Sequence, residues 1–149
     1  CIAYKYMAWN QRKFGAAGAS VAVLKEHTAP VWCCAFHPEN EFLVSGGEDK
    51  ILRLWQEVGG ELAREVRGHK GGVSAAAFSP NGRILATAES KGRAHSIWLW
   101  DFVAGKRKAD VRSVQHAQVL SGHTGPVHGM VFGPAGRVLA SASGDGTVR

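Results

Sequence analysis

The sequence predicts an all-β protein built from short antiparallel strands, and three observations carry that prediction. Glycine supplies 19 of 149 residues, well above the average of roughly 7%, with no collagen-like period, so many tight turns are expected and long helices are disfavoured. The apolar residues fall in strand-sized runs such as VWCCAF, ILRLW, AAAF, SIWLW and GMVF, too short for helices of ordinary length. Above all, the chain repeats itself, and a repeat decides the architecture before any single element does.

Three segments align without a gap from a histidine onward, at His27, His69 and His123. Four residues later stands Val31, Val73 or Val127, nine later Phe36, Phe78 or Phe132, and eleven later Pro38, Pro80 or Pro134. A hydroxyl follows at 18 residues, as Ser45, Thr87 and Ser141, and Asp49, Lys91 or Asp145 at 22. The first two units end on Trp55 and Trp100, 28 and 31 residues after their histidines, which places a three-residue insertion in the second.

Each unit reads as a chain of strands and turns. Val-x-x-x-x-Phe is the first strand, because β-branched and aromatic residues suit a pleated, half-buried surface. The Pro-Glu-Asn, Pro-Asn-Gly or Pro-Ala-Gly after it is a turn, with Pro fixing φ and Asn or Gly taking the strained position. FLVSG, ILATA and VLASA form second strands, and an Asp-Lys or Asp-Gly turn leads to third strands ILRLW and SIWLW. Weaker fourth strands, ELAREV and AQVL, run to the next histidine. Ahead of the first histidine, Tyr4 through Trp9-Asn10 reads as a third strand of an earlier unit and Ala19 through Leu24 as its fourth.

This pattern resembles the WD-repeat (WD40) family, whose repeats of about 40–45 residues form the four-stranded blades of a β-propeller and carry Gly-His and Trp-Asp dipeptides. Gly68-His69, Gly122-His123 and Trp100-Asp101 match those dipeptides, and Glu26-His27 and Trp55-Gln56 are degenerate forms. The resemblance implies a partial propeller of about three and a half blades: 1–24 the last two strands of a blade, 25–66 a blade, 67–120 a blade with a turn insertion at 91–96 and a long loop at 102–116, and 121–149 a truncated blade. Closed propellers have four to eight blades. An open arc is therefore expected, a portion of a larger propeller completed by further sequence or by another chain.

The resemblance also implies a structural tetrad in each blade: His27, Ser45, Asp49 and Trp55 in the first, His69, Thr87 and Trp100 in the second, and His123, Ser141 and Asp145 in the last. Indole N–H to hydroxyl, hydroxyl to imidazole and imidazole to carboxylate form a chain in which every buried polar group is satisfied. A recurring His, Ser and Asp superficially suggests a hydrolase, but a triad occurs once per active site and needs an exposed nucleophile with an oxyanion hole. In the second blade Lys91 replaces the aspartate, leaving His69 with a looser turn, with Glu89, or with a water as its acceptor.

No phosphate-binding loop, HExxH motif or paired-carboxylate site is present, so no catalytic residue, cofactor or metal is expected. No run of about 18 apolar residues occurs, which excludes a membrane-spanning helix. Three cysteines, two of them the adjacent Cys33 and Cys34, make neither a disulfide framework nor a metal knuckle,, and a reducing intracellular setting is the simplest context. The net charge of +6 is uneven: residues 1–82 carry nine Lys/Arg against eight Asp/Glu, and 83–149 nine against four. Much of the excess lies in Lys106, Arg107, Lys108 and Arg112, which reads as one solvated basic loop, and short loops of this kind are more often bland surface than nucleic-acid sites.

The expected function is a non-enzymatic scaffold for protein–protein interaction inside a larger intracellular complex. Trp32, Ser74 and His128 follow the repeat valine, a position that in WD propellers commonly lies at the rim of the central channel; Glu48 and Ser90 belong to the same rim. Exposed aromatics there make good anchors, while Trp32 is equally suited to lie between blades. Two alternatives keep the basic residues in play: a ribonucleoprotein component binding RNA, or a microtubule- or cilium-associated protein meeting acidic tubulin tails.

Overall fold

The computed structural model describes residues 2–3, 22–38, 42–56, 60–90, 95–104 and 111–149. Within these the chain is all-β. The elements are β1 (Ile2–Ala3), β2 (Ala22–Val23), β3 (Val31–Phe36), β4 (Phe42–Gly47), β5 (Leu52–Gln56), β6 (Leu62–Val66), β7 (Val73–Phe78), β8 (Ile84–Glu89), β9 (Ile97–Ala104), β10 (Val111–Leu120), β11 (Val127–Phe132) and β12 (Leu139–Ser143). They form antiparallel sheets in strict chain order: β3-β4-β5-β6, β7-β8-β9-β10, β11-β12 and the short pair β1-β2. The third strand and fourth strand expected over Tyr4–Asn10 and Ala19–Leu24 fall largely outside the described residues; Ala22 and Val23 pair with Ala3 and Ile2.

Consecutive units stand side by side through their first strands, β7 resting on β3 and β4 to one side and on β11 to the other. Each strand sends alternate residues to opposite faces, so each sheet contributes to two different joints. Phe42, Val44, Leu52 and Leu54 of the first unit meet Val73, Leu85 and Phe102 of the second, with Ala76 and Phe78 against them. Ala75, Ala86, Ala88 and Ile97 meet Val127, Met130, Phe132 and Leu139 at the next joint.

The turns between first and second strands show why the sequence folds as it does. In the second unit Ser79 Oγ donates to Asn81 Oδ1 at 2.7 Å, and Gly82 N–H donates to the Ser79 carbonyl at 2.8 Å. Gly82 takes φ 66°, a left-handed conformation that costs glycine nothing, and an added Cβ would fall 2.3 Å from the His37 ring.

Two expectations about the second unit need correction. The segment 102–116 is not a long loop: β9 continues to Ala104 and pairs with β10 from Val111, leaving only 105–110 outside the described residues. The ladder continues because Phe102 is buried among His37, Phe42 and Phe78, with ring centroids 5.0, 6.3 and 5.3 Å away, and its N–H donates to the Arg83 carbonyl at 2.8 Å. The basic strip is likewise not one loop, because Arg112 belongs to β10, whereas Lys106, Arg107 and Lys108 lie outside the described residues. Of the insertion at 91–96, only His95 and Ser96 are described; the Ser96 carbonyl accepts from Glu89 N–H at 3.1 Å.

Candidate functional site

The polar core of the first unit is assembled by β4, β5 and the turn between them. Trp55 Nε1–H donates to Ser45 Oγ at 2.8 Å, and Ser45 Oγ lies 2.7 Å from His27 Nε2. Because indole can only donate, the hydroxyl proton points to Nε2. His27 Nδ1–H then donates to Asp49 Oδ2 at 2.8 Å. Arg53, four residues after Asp49, donates Nη1–H to the same carboxylate oxygen and reaches Glu65 through Nη2 at 3.1 Å. Burial pushes the Asp49 carboxyl up, but the hydrogen bonds from Arg53 and His27 outweigh it and hold it below the usual carboxylate range.

The second unit solves the same problem with different residues. Trp100 Nε1–H donates to Thr87 Oγ1 at 2.7 Å, and Thr87 Oγ1 lies 2.9 Å from His69 Nε2. Glu89 takes the acceptor role: His69 Nδ1 lies 3.1 Å from its Oε1, which also accepts from Lys70 N–H at 2.9 Å. At the position of Arg53 stands Trp98, stacked on Trp100 with centroids 5.7 Å apart and planes 18° apart, and lying 5.1 Å from the His69 ring. Loss of the turn aspartate thus coincides with loss of its arginine partner, and an aromatic stack fills the space.

In the third unit His123 bridges Asp145 Oδ2 and Ser141 Oγ, both at 2.8 Å. Thr147, at the place of Ile51 in the first unit, donates its hydroxyl to Asp145 Oδ1 at 2.7 Å and its N–H at 2.9 Å, and Arg149 stands at the position of Arg53. Thr147 and His123 together hold the Asp145 carboxyl well below its ordinary range, against a smaller opposing effect of desolvation.

These clusters hold strands together, and in the third unit His123 and Ser141 also line a small open cavity with Ile97, Leu120, Leu139 and Arg149. Ser45, Thr87 and Ser141 are all buried, so none is placed as a nucleophile, and two of the hydroxyls already accept an indole proton. Among the described residues no group of three or more His, Cys, Asp or Glu is placed to hold a metal ion. No helix among them is long and apolar enough to cross a membrane. Cys33 is half-buried with Sγ 3.6 Å from the Gly46 carbonyl and 3.7 Å from that of Val73. Burial, with the neighbouring Cys34 adding to it, pushes its thiol up to about 12.

The solvent-facing candidates lie at the start of the first strands, beside the turns that carry Asp49 and Asp145. A β-bulge interrupts pairing between Val31 and Cys33, between Val73 and Ala75, and between Val127 and Gly129. The extra residues are Trp32, Ser74 and His128, and bulges commonly re-aim a side chain in this way. Beside them a backbone bond recurs in all three units: Glu48, Ser90 and Gly144 donate N–H to the carbonyls of Pro30, Gly72 and Pro126 at 2.9, 2.8 and 2.8 Å.

The three bulge residues have different fates. Trp32 keeps 38% of its surface exposed while its ring lies across Gly72 of the next unit, where an added Cβ would fall 2.5 Å from the indole. Ser74 faces the joint, its hydroxyl donating to the Val127 carbonyl at 2.6 Å. His128 is exposed above Gly144. Ser90 Oγ donates to the Gly72 carbonyl at 3.1 Å. The structure therefore gathers Trp32, Glu48 and Ser90 around Gly72, with His128 two units away.

Sequence reasoning missed Arg53, Trp98 and His37. Arg53 and Trp98 each stand two residues before the tetrad tryptophan, so strand alternation puts them on its face; that signal was readable. His37 joins two units, its Nε2–H donating to the Gly82 carbonyl at 3.0 Å, and no repeat signals it because Ser79 and Gly133 occupy the matching positions.

Comparison with known proteins agrees with the geometry. Residues 18–56, 60–101 and 112–149 match the family described as WD domain, G-beta repeat. The chain is 34% identical over 142 residues to the nuclear distribution protein PAC1 of Gibberella zeae, covering 89% of this chain and 29% of that protein. It is 37% identical over 128 residues to the nuclear distribution protein nudF of Aspergillus niger, covering 84% and 26%. Against the human serine-threonine kinase receptor-associated protein it is 35% identical over 92 residues, covering 60% and 25%. It thus spans less than a third of the length of each of these relatives. With three matched repeats folded as consecutive antiparallel blades around buried His, Ser/Thr and Trp clusters, the chain belongs to the WD-repeat family.

Proposed function

We propose that this chain is a non-catalytic WD-repeat scaffold that holds a partner protein along the rim where Trp32, Glu48 and His128 meet solvent. The observation that carries this reading is the trio of bulges at equivalent positions. A bulge costs ladder hydrogen bonds, and here it recurs at one position in all three units, leaving Trp32 partly and His128 openly exposed while Ser74 turns into the joint. Trp32 offers a large, stiff surface whose far side is already braced by Gly72, so little side-chain entropy is lost on binding. Ser74 is committed to the Val127 carbonyl and Ser90 to that of Gly72; both hold the rim in shape.

Peptides selected from a random display library on the folded chain test it. Trp32→Ala with His128→Ala should weaken the selected peptides at least about tenfold, the scale of a binding hot spot, without lowering the melting temperature appreciably. Peptides indifferent to both changes and to Glu48→Lys would move the binding surface elsewhere.

A second reading concerns Lys106, Arg107, Lys108 and Arg112. By sequence Lys106, Arg107 and Lys108 lie between β9 and β10, and β9 is anchored through Phe102, a rigid base of the kind that binding segments use,. An acidic partner, RNA or the tails of tubulin, fits their charge. Salt-dependent RNA binding, or co-sedimentation with microtubules, that disappears on neutralising Lys106, Arg107 and Lys108 supports it; neither occurring at low salt removes it.

A further inference from the structure

Gly72 is the point where the rim of the first unit meets the second. It is buried and its backbone is not left-handed, so its own conformation does not call for glycine. Its neighbours do. A Cβ at this position would fall 2.5 and 3.0 Å from the outer ring carbons of Trp32 and 3.2 Å from the Glu48 Cα. The Gly72 carbonyl accepts from Ser90 N–H at 2.8 Å and from Ser90 Oγ at 3.1 Å, which ties the glycine to the turn of its own unit.

The next joint carries the opposite pair. Three residues on from its repeat histidine, Pro126 stands where Gly72 stands. Proline has the Cβ that Gly72 lacks, and the bulge residue at that joint is the small Ser74, whose hydroxyl donates to the Val127 carbonyl at 2.6 Å. At the first joint the corresponding carbonyl, that of Val73, is approached by Cys33 Sγ at 3.7 Å, and the indole of Trp32 lies over the glycine beside it.

We propose that Gly72 is a positioning residue for recognition at the rim: the missing side chain at 72 is what lets Trp32, on the preceding unit, lie across the joint in one orientation. Its bearing on partner binding rests on the reading of Trp32 as an anchor; its effect on the indole does not. A ring seated in this way has its χ angles fixed before a partner arrives, so ordering it costs the complex little. A methyl group at 72 pushes the outer ring carbons off the joint, because the far end of a side chain yields more readily than the Glu48 backbone. The indole then samples other rotamers, and ordering it again falls to the partner.

Fluorine NMR on the full chain labelled with fluorotryptophan tests this. The Trp32 resonance is the one of the five tryptophan signals that Trp32→Phe removes. Gly72→Ala is expected to shift or broaden that resonance and to leave those of Trp55, Trp98 and Trp100 in place. Phenylalanine lacks the outer ring carbons that approach position 72, so any fall in melting temperature caused by Gly72→Ala should be smaller in the Trp32→Phe background. Peptides selected on the folded chain whose binding needs Trp32 should bind Gly72→Ala about threefold to tenfold more weakly, the scale of one side chain left to be ordered. The proposal is overturned by a Trp32 resonance that does not respond to Gly72→Ala, by equal destabilisation in both backgrounds, or by unchanged binding of the Trp32-dependent peptides. A Gly72→Ala chain that fails to fold, and that Trp32→Phe does not restore, overturns it as well. If no selected peptide depends on Trp32, the partner reading of the rim falls, while the resonance and the melting temperatures still decide the role of Gly72.

Discussion

Arg53→Ala is the sharpest probe of the polar core. The Arg53 side chain is 4% exposed and spans two carboxylates, Asp49 through Nη1 and Glu65 through Nη2 at 3.1 Å. Removing it leaves Asp49, itself 4% exposed at the side chain, with only His27 and nearby backbone N–H groups to balance its charge. Breaking a buried pair from one side costs about 3–5 kcal/mol, a large share of the roughly 5–15 kcal/mol that stabilises a typical domain. At about 2–4 °C per kcal/mol for a chain of this size, the melting temperature should fall by about 6–20 °C. Urea denaturation gives the same quantity from the midpoint at unchanged slope. The cause is separated from lost side-chain volume by repeating the change in Asp49→Asn, where only the more exposed Glu65 carboxylate remains opposite Arg53 and Arg53→Ala should cost less than half as much. A cost below about 1 kcal/mol in the wild type, or an equal cost in both backgrounds, would refute the reasoning.

Acid should loosen the first and third units. Asp49 and Asp145 titrate below the ordinary range when folded and return to about 3.9 when unfolded, so the unfolded chain binds more protons in that window. Their contribution is complete above about pH 5 and is lost as pH falls through the folded values; Asp49→Asn should flatten the acid limb of a stability–pH curve. Gly82→Ala should destabilise by about 1–3 kcal/mol, from the left-handed φ of 66° and a Cβ 2.3 Å from His37,, and truncating His37 as well should recover part of that loss in a double-mutant cycle. Trp55→Phe, which keeps the ring and removes the indole N–H 2.8 Å from Ser45 Oγ, should cost about 1–3 kcal/mol in a thermal melt. An alkylating reagent at neutral pH should modify Cys34 well before Cys33, whose thiol is pushed up to about 12; comparing Cys33→Ser with Cys34→Ser by mass spectrometry reads the order.

What was legible in the sequence is what repeats. Histidine, valine, phenylalanine, proline and hydroxyl recur at fixed spacings, so they locate strands, turns and the buried polar chain from pattern alone. What was not legible occurs once. The acceptor of His69 had three possible identities on paper, and only the side-chain geometry selects Glu89, 3.1 Å away. The run from Trp100 to His123 looked like a loop because its length departs from the other units; the anchoring of Phe102 beside His37 and Phe78 is a contact between units, which spacing within one unit does not encode. Ser74 looked like a rim residue for the opposite reason: its position repeats, while its bond to the Val127 carbonyl depends on the small size of serine.

The three polar cores show which positions are free to diverge and which are not. Arg53 and Trp98 stand at one position and complete the surroundings of a tetrad histidine or its carboxylate by different chemistry, ion pair and aromatic stack; the third unit keeps arginine there, as Arg149, and adds the hydroxyl of Thr147 at the place of Ile51. The joint positions are held to a narrower range of small and apolar residues, since each must fit a neighbour's first strand as well as its own sheet. The bulge residues share a backbone position and no side-chain chemistry: Trp32 lies across Gly72 of the next unit, Ser74 bonds the Val127 carbonyl, and only His128 is free of a joint. A position fixed in geometry and free in identity is where recognition can be written at little cost to the fold, which is the physical reason for testing the bulged rim first.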